Sequence, residues 1–278
     1  MTVRELLDAS SALLAPREGL ADPRRETRWL LAALLDRPES WLFANDGDEV
    51  HAGAAVRFRA WVERRAAGEP AHRIVGRCPF WGREFLVTPD TLVPRPETEL
   101  LVAEALRVPL PAGARVLDVG TGSGCLAVTL ALGLPAATVT GCDVSPAALA
   151  VARRNARSLG APVALLAGDL AAPLSGGFDL VVANLPYLSR DEIGALAVEV
   201  RDHEPRTALV GGECGVELVL RLVADLPRLL APAGRALLEV GEAQAETVGE
   251  AARAVGLVAL DPLVDAGGVA RVVRLDRA

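Results

Sequence analysis

Residues 116–128, with the sequence VLDVGTGSGCLAV, decide the fold, because a strand-like aliphatic run passes through three glycines into a helix-like run. Gly120, Gly122 and Gly124 stand directly after the strand and at the start of the helix. Residues without a side chain let a ligand approach the backbone closely, although a turn of this kind also serves simple packing. The stretch therefore favours a nucleotide-like cofactor site at the end of a strand in a parallel sheet.

Strand-like and helix-like runs alternate on both sides of this stretch. From Thr98 a helix-like run, ETELLVAEAL, comes before the strand at 116, and strands and helices then alternate towards the end of the chain. This alternation predicts an α/β domain with a largely parallel sheet and helices on both faces. The last two strands, VALD and ARVVRL, have no helix between them, so we expect one of them to be antiparallel.

The N-terminal part of the chain has a different pattern. In residues 1–72 apolar residues recur at helical spacing, as in LLDASSALL and ETRWLLAALL, which predicts a small all-helical domain. Residues 73–94 are rich in aromatic residues, Val, Gly and Pro, and they indicate a β-hairpin with an extended connection. We therefore expect a helical domain at 1–72, a hairpin linker at 73–94 and an α/β domain at 95–278.

Composition restricts the classes of function. The net charge of -7 at pH 7 argues against a broad electrostatic grip on nucleic-acid phosphates and favours a protein or small-molecule substrate. The cysteines form no C-x-x-C pair and the histidines lie far apart, so we expect neither a metal site nor a disulfide framework. The N-terminus lacks the apolar core of a signal peptide, and no uncharged apolar run of about 18 residues follows. A cytoplasmic protein without membrane spans is expected.

An acidic residue follows the glycines at the spacing of a ribose-binding carboxylate. The strand VTGCDVS contains Asp143, whose carboxylate can accept hydrogen bonds from both ribose hydroxyls. Asp143 also precedes Ser145-Pro146, a good helix start, so a role in a helix cap or turn stays open. The loop spacing G-x-G-x-G, taken with Leu117-Asp118, resembles the first motif of S-adenosylmethionine-dependent methyltransferases.

This resemblance implies S-adenosylmethionine as the cofactor and assigns further residues to its site. The next strand leads to AGDL, which would place Asp169 and Leu170 at the adenine, with the carboxylate accepting a hydrogen bond from the amino group. A solvated Asp169 at the rim of the sheet is the alternative. The loop residues implied in cofactor binding are Gly120, Thr121, Gly122, Ser123 and Gly124.

The fourth strand of the sheet, FDLVVAN, ends in the turn Asn184-Leu185-Pro186-Tyr187. Ligands of open parallel sheets bind beyond the carboxyl ends of the strands. The lone pair of an amide nitrogen is delocalised, so its methylation needs orientation, and the Asn184 side chain and the Leu185 main-chain oxygen can each accept one N–H group. Pro186 would stiffen the turn, and Tyr187 would offer a flat face to a planar amide or base. Taken alone, the turn could also simply close a strand.

The chain resembles the bacterial release-factor glutamine methyltransferases of the HemK/PrmC type over nearly its whole length. NLPY corresponds to the family's Asn-Pro-Pro-Tyr, DVGTGSG to its cofactor loop, FWGREFLVTPDTLVPRPETELLV to its linker and HEPRTALVGGECGVE to a later signature. The resemblance implies a helical substrate-recognition domain joined by a β-hairpin to a seven-stranded Rossmann-like methyltransferase domain. It also implies methyl transfer to the side-chain amide of the glutamine in the Gly-Gly-Gln motif of peptide chain release factors. Residues 184–187 would hold that glutamine, and Asn184 would touch both ligands.

Departures from the family pattern keep alternatives open. Leu185 replaces the first proline, and NLPY also occurs in ribosomal-RNA adenine dimethyltransferases, so a nucleic-acid adenine methyltransferase is one alternative, weakened by the acidic composition. His203 stands where Phe is usual, as in relatives that methylate a glutamine of a large-subunit ribosomal protein, whereas RPETE at 95–99 favours the release-factor branch. Cys214 stands where Asp is frequent. A non-catalytic cofactor-binding or scaffold protein is an alternative that Leu185 alone suggests. The preferred interpretation has release factors as protein substrates and no stable nucleic-acid partner.

Overall fold

The computed structural model describes residues 1–15, 20 and 22–277. The chain divides into two compact units, Met1–Arg77 with Leu196–His203 and Cys78–Ala195 with Glu204–Ala278. The first unit is helical and the second is built on a β-sheet. This arrangement confirms the predicted α/β class with an N-terminal helical region.

The first unit has one apolar core. Leu6, Leu30 and Phe58 lie at its centre and are at most 1% exposed. The first helix begins at a capping box, in which the Thr2 side chain and the Glu5 side chain each accept a hydrogen bond from the other residue's main-chain N–H. The helices before residue 77 are α1 (Val3–Leu14), α2 (Pro23–Leu35), α3 (Glu39–Ala44), α4 (Ala52–Ala66) and α5 (Ala71–Val75).

A two-stranded sheet follows where the aromatic and glycine pattern predicts a hairpin. It consists of β1 (Arg77–Phe80) and β2 (Arg83–Leu86). The Phe80 and Phe85 rings pack edge to face with centroids 6.0 Å apart, and both are buried in a core that also contains α6 (Thr98–Ala105). The aromatic residues of the linker therefore belong to the core of the second unit.

Seven strands form the main sheet, in the order β10-β11-β9-β6-β3-β4-β5. β11 runs antiparallel to both of its neighbours and the other pairs are parallel, as predicted for one of the last two strands. The chain order reverses between β3 and β6, and the carboxyl ends of strands at such a switch point form a crevice. The elements are β3 (Arg115–Val119), α7 (Cys125–Gly133), β4 (Thr138–Asp143), α8 (Pro146–Leu159), β5 (Val163–Ala167), β6 (Phe178–Asn184), β7 (Leu188–Ser189), α9 (Val198–Arg201), β8 (Val210–Gly212), α10 (Glu217–Leu229), β9 (Leu230–Glu239), α11 (Ala245–Ala254), β10 (Val258–Val264) and β11 (Ala270–Asp276).

The sheet is buried on both faces. Along β6, Val181 and Ala183 pack into one core with α10 and α11, whereas Leu180 and Val182 pack into the other with α6 and α7. This alternation explains why FDLVVAN is a continuous apolar run, since side chains of both orientations meet helices. The two cores thereby fix which face each residue of β6 takes.

Two regions differ from the sequence-based expectation. β9 begins at Leu230, ahead of the predicted RALLEV, because Leu230 pairs with Phe178 before an irregularity in the ladder. β7 and β8 form a small parallel sheet, and α9 lies between them in the chain. Although flanked by residues of the second unit, α9 belongs to the first, where its Glu199 pairs with Arg65 of α4 at 3.0 Å.

The described helices are short. The longest, α4, has 15 residues, whereas crossing the apolar layer of a bilayer takes about 20. No helix in the described part of the chain combines the length and apolar composition that crossing a membrane requires.

The core of the first unit can be tested with two leucines of α1. Leu6 is 1% exposed and Leu13 is 51% exposed. Leu6→Ala should lower the free energy of unfolding by about 2 to 5 kcal/mol, because it removes buried methyl groups and leaves a cavity. Leu13→Ala is the matched control and should cost less than about 1 kcal/mol. Denaturant unfolding monitored by circular dichroism measures both, and equal losses would contradict the assigned core.

Candidate functional site

A cavity of about 410 Å³ lies at the carboxyl ends of β3, β4 and β6 in the second unit. Its wall is formed by the connection after the hairpin, the glycine loop, the turns after β4 and β5, and the NLPY turn. Gly124 and Tyr187 are not among the lining residues, and Gly124 instead caps α7. The predicted site residues that do line the cavity are Gly120, Thr121, Gly122, Ser123, Asp143, Asp169, Leu170, Asn184, Leu185 and Pro186.

The glycine loop is held by the neighbouring strand and by the NLPY turn. The main-chain N–H groups of Gly120 and Thr121 both donate to the Cys142 carbonyl at 2.9 Å. Gly120 has a φ of 73°, in the left-handed region that favours glycine. A Cβ at Gly120 would also lie 2.8 Å from Cδ2 of Leu185. Both the backbone angle and the packing therefore require glycine here.

A buried carboxyl group supports the loop. Asp118 is 0% exposed, and its Oδ2 accepts hydrogen bonds from Oγ1 of Thr121 at 2.6 Å and from the main-chain N–H of Ala127 at 3.1 Å. Its Oδ1 has no hydrogen-bond partner among the described residues. Burial outweighs the two hydrogen bonds and raises the pKa of Asp118 to about 7. One carboxyl group thus connects β3, the loop and the first turn of α7.

Asp143 ends β4 and contacts the glycine loop. Its Oδ2 accepts a hydrogen bond from the main-chain N–H of Gly122, and its Oδ1 accepts one from that of Ser145, both at 2.8 Å. The capping of α8 belongs to Ser145, whose side chain accepts from the Ala148 N–H at 3.2 Å. These bonds orient the Asp143 carboxylate in the cavity wall, and each oxygen keeps further acceptor capacity for a ligand.

Asp169 and Leu170 follow β5 and also line the cavity. Leu170 has a φ of 49°, and its carbonyl accepts a hydrogen bond from Sγ of Cys142 at 3.2 Å. Asp169 pairs with Arg221 of α10 at 2.7 Å, with both side chains more than half exposed. An exposed ion pair of this kind adds little stability. Asp169 can therefore turn to a ligand at small cost.

The NLPY turn begins at the last residue of β6. Asn184 pairs with Glu239 across the ladder between β6 and β9, and its Nδ2 donates to Oγ1 of Thr98 at 2.9 Å. Leu185 is 4% exposed and packs into the core that contains α10 and α11. The leucine at the family's proline position is thus an apolar anchor, with its side chain against Gly120.

The rest of the turn is held by distant segments. The side-chain amide of Gln244 donates to the Tyr187 carbonyl at 2.8 Å. A Cβ at Gly211 would lie 2.3 Å from the Pro186 carbonyl oxygen, so this close approach requires glycine. A Cβ on Gly241 would lie 3.1 Å from Cδ2 of Tyr187, which places the tyrosine ring beside the segment after β9. Burial, and secondarily the charge of Glu239, raise the pKa of Tyr187.

Three buried polar residues, which the sequence did not identify as site residues, support the cavity wall. Asn155 of α8 donates to the Ser123 carbonyl at 2.8 Å and exchanges hydrogen bonds with the main chain of Leu86 at 2.8 and 3.0 Å, so it joins the glycine loop to β2. Thr98 and Glu239 lie next to Asn184. Their sequence signal is a polar residue on an otherwise apolar face, as at the end of LLE in β9.

The HEPR signature supports another part of the wall. The Glu204 side chain is 0% exposed and accepts hydrogen bonds from the guanidinium of Arg95 at 3.3 Å and from the main-chain N–H of Val93 at 3.4 Å. A buried charge needs such partners to offset the loss of its hydration. The signature thereby fixes the connection that carries Pro94 and Arg95 along the cavity.

Two family models match the chain. Residues 5–76 match a model described as the PrmC N-terminal domain. Residues 96–212 match a model described as the methyltransferase small domain. The second match contains the glycine loop, Asp143 and the NLPY turn.

Two relatives that match nearly the whole chain share one name. A release factor glutamine methyltransferase from Geobacter sulfurreducens is 42% identical over 98% of this chain and 95% of its own. One from Deinococcus radiodurans is 39% identical over 100% of this chain and 99% of its own. Among solved structures, a methyltransferase from Pyrococcus furiosus has a TM-score of 0.55 at 18% identity and covers 79% of this chain and 98% of its own. That structural likeness shows the fold alone.

The pKa of Asp118 leads to a test of stability against pH. Its pKa is raised from 3.8 to about 7 by burial, so between these values the folded chain binds more protons at this site than the unfolded chain. The contribution of Asp118 to the free energy of unfolding should therefore decrease as pH rises through this window. Denaturant unfolding of the wild type and Asp118→Asn at several pH values measures the difference. The difference in the free energy of unfolding between the two proteins should change by about 3 kcal/mol or more across the window, since one pKa unit is worth about 1.4 kcal/mol.

The matched control for this test is Asp261→Asn, at an exposed position on β10. It controls for the substitution itself and should change the free energy of unfolding by less than about 1 kcal/mol. A difference between Asp118→Asn and the wild type that stays constant across the window would contradict the raised pKa of Asp118.

Proposed function

The chain belongs to the release factor glutamine methyltransferases, and from this premise we propose that it methylates the side-chain amide nitrogen of the Gly-Gly-Gln glutamine in peptide chain release factors. The methyl group comes from S-adenosylmethionine. One observation carries the proposal for this chain: the side chain of Asn184 and the glycine loop line the same cavity, at the switch point of the sheet.

The residues of the cavity suit S-adenosylmethionine. A volume of about 410 Å³ is within the usual range of small-molecule sites. The loop from Gly120 to Gly124 would lie along the cofactor, Asp143 would accept hydrogen bonds from the ribose hydroxyls, and Asp169 and Leu170 would meet the adenine. When bound, the cofactor supplies an activated methyl group on a sulfonium, so the chain itself needs no strong nucleophile.

The NLPY turn would orient the glutamine amide. Asn184 Oδ1 accepts one N–H of the substrate and the main-chain oxygen of Leu185 accepts the other, which holds the nitrogen in line with the methyl group. The structure keeps the features that this needs, because Asn184 and Leu185 are in the wall and the turn is tied at Pro186 and Tyr187. The Tyr187 ring does not line the cavity, so packing against the flat amide would require it to turn towards the substrate.

Each part of the chain has its own proposed role. Residues 1–72 would form the substrate-recognition domain, 73–94 the hairpin linker and 95–278 the methyltransferase domain. A cytoplasmic location belongs to the same proposal, and the four cysteines, all free, are consistent with a reducing compartment. The partners are release factors, and no nucleic-acid partner is needed.

The role of Asp143 can be tested by cofactor binding. Asp143→Ala should weaken the affinity for S-adenosylmethionine about tenfold or more, because charge-assisted hydrogen bonds are worth about 1.5 to 3 kcal/mol. Isothermal titration calorimetry measures the dissociation constant. Asp261→Asn, at an exposed position, is the control and should bind as the wild type does. An unchanged affinity of Asp143→Ala would remove Asp143 from the cofactor site.

The role of Asn184 and the identity of the substrate can be tested together. Wild-type protein incubated with methyl-labelled S-adenosylmethionine should label purified release factor, should leave ribosomal RNA unlabelled, and should fail on a release factor whose Gly-Gly-Gln glutamine is replaced by alanine. Asn184→Ala should lose nearly all transfer while its circular dichroism spectrum stays unchanged. Transfer to RNA would overturn the proposed substrate, and full turnover by Asn184→Ala would overturn the amide clamp.

A further inference from the structure

A buried glutamate lies next to the residue that would clamp the substrate. Glu239 pairs with Asn184 in the ladder between β6 and β9, is 3% exposed and is not among the residues that line the cavity. Its Oε2 is buried without a hydrogen-bond partner among the described residues. Burial raises the pKa of Glu239 to about 7, and hydrogen bonds from Thr98 and Asn184 oppose this rise. The sheet thus buries a carboxyl group, whose ionisation is opposed by desolvation, next to the side-chain amide of Asn184.

We propose that Glu239, acting with Thr98, is a positioning residue that fixes which end of the Asn184 side-chain amide is free to meet the substrate. This inference rests on the proposed function, because it assigns a cause to the orientation of the proposed clamp. It concerns two neighbours of Asn184: Thr98, which lines the cavity and hydrogen-bonds Asn184, and Glu239, its partner on β9, which does not line the cavity.

The direction of the hydrogen bonds carries the inference. An ionised carboxylate can only accept, whereas the Thr98 hydroxyl has one hydrogen to donate. An ionised Glu239 can accept that hydrogen, and the Thr98 oxygen then accepts from Nδ2 of Asn184, the contact seen at 2.9 Å. Oδ1 of Asn184 is then the end left to accept an N–H from a substrate amide. The flipped amide would set Oδ1 against a threonine oxygen that has no hydrogen left to offer.

Protonation of Glu239 removes this constraint. A neutral carboxyl group can donate to Thr98, which frees the threonine hydrogen for Oδ1 and permits the flipped amide. The charged and titratable groups around Glu239 come from each neighbouring element: Glu97 beside α6 raises its pKa, Arg271 of β11 lowers it, and Tyr187 after β6 is coupled to it. Ionisation of Glu239 should therefore control the orientation of Asn184 near neutral pH.

The kinetic test uses two isosteric changes, Glu239→Gln and Thr98→Val. Each should lower kcat for release-factor methylation about tenfold or more. KM should change little, because the clamp touches only one side chain of a protein substrate. Thr98→Ser keeps the hydroxyl and should restore most of the activity. The double variant should be no slower than the slower single variant, since both changes break one chain of hydrogen bonds.

Controls separate orientation from folding. Glu250→Gln, at an exposed position of α11, should leave kcat unchanged. The affinity for S-adenosylmethionine should be that of the wild type in every variant. If Glu239→Gln loses this affinity, the Thr98→Val and Thr98→Ser pair decides the question. Full kcat in Thr98→Val, or an additive loss in the double variant where both single variants fold, would overturn the inference.

A spectroscopic readout does not depend on activity. The side-chain amide resonances of Asn184 in a ¹⁵N correlation spectrum should titrate with a midpoint near the Glu239 pKa of about 7 in the wild type. This titration should disappear in Glu239→Gln and remain in Glu250→Gln. Its persistence in Glu239→Gln would overturn the inference.

The two proposals fail in different ways. A wild-type protein that labels no release factor would overturn the proposed function, and a fully active Asn184→Ala variant would overturn the amide clamp together with the positioning role. An inactive Asn184→Ala variant together with fully active Glu239→Gln and Thr98→Val variants would overturn the positioning role alone.

Discussion

The parallel pairing of β3 with β6 is the constraint on which the site depends. Val119 lies opposite Ala183, so the glycine loop and Asn184 both start at the next position along their strands. A slip of one residue would send every side chain of β6 to the other face of the sheet. Because both faces are packed against helices, such a slip would move apolar residues between two filled cores. Core packing therefore sets the spacing between the loop and the amide.

Leu185 shows how packing can replace a covalent restriction. A proline stiffens a turn because its ring fixes φ. Leucine lacks that ring, but here its side chain is buried in the core and presses against Gly120. The turn and the glycine loop thus brace one another directly. A departure from the family pattern is thus accommodated by a contact between the NLPY turn and the glycine loop.

The sequence predicted the secondary-structure elements and the cavity-lining residues better than it predicted the buried polar residues that hold them in place. The glycine loop, Asp143 and Asn184 could be located because parallel strands end at one edge, so chain position alone brings them together. Asn155, Thr98 and Glu239 could not, since their partners are distant in the chain: Asn155 bonds to Leu86, 69 residues away. Tyr187 was placed by adjacency to Asn184, yet its ring packs beside Gly241 and is not in the cavity wall.

The segment that contains α9 makes the helical unit discontinuous in sequence. Residues 196–203 belong to the helical unit, while the chain on either side belongs to the sheet unit. The polypeptide therefore passes between the units at 77–78, 195–196 and 203–204, and no single cut of the backbone separates them. A fragment that stops at residue 77 would leave Arg65 without Glu199. The helical unit consists of two separate stretches of chain, Met1–Arg77 and Leu196–His203. Exchanging this unit between homologues would therefore require both stretches to be transferred.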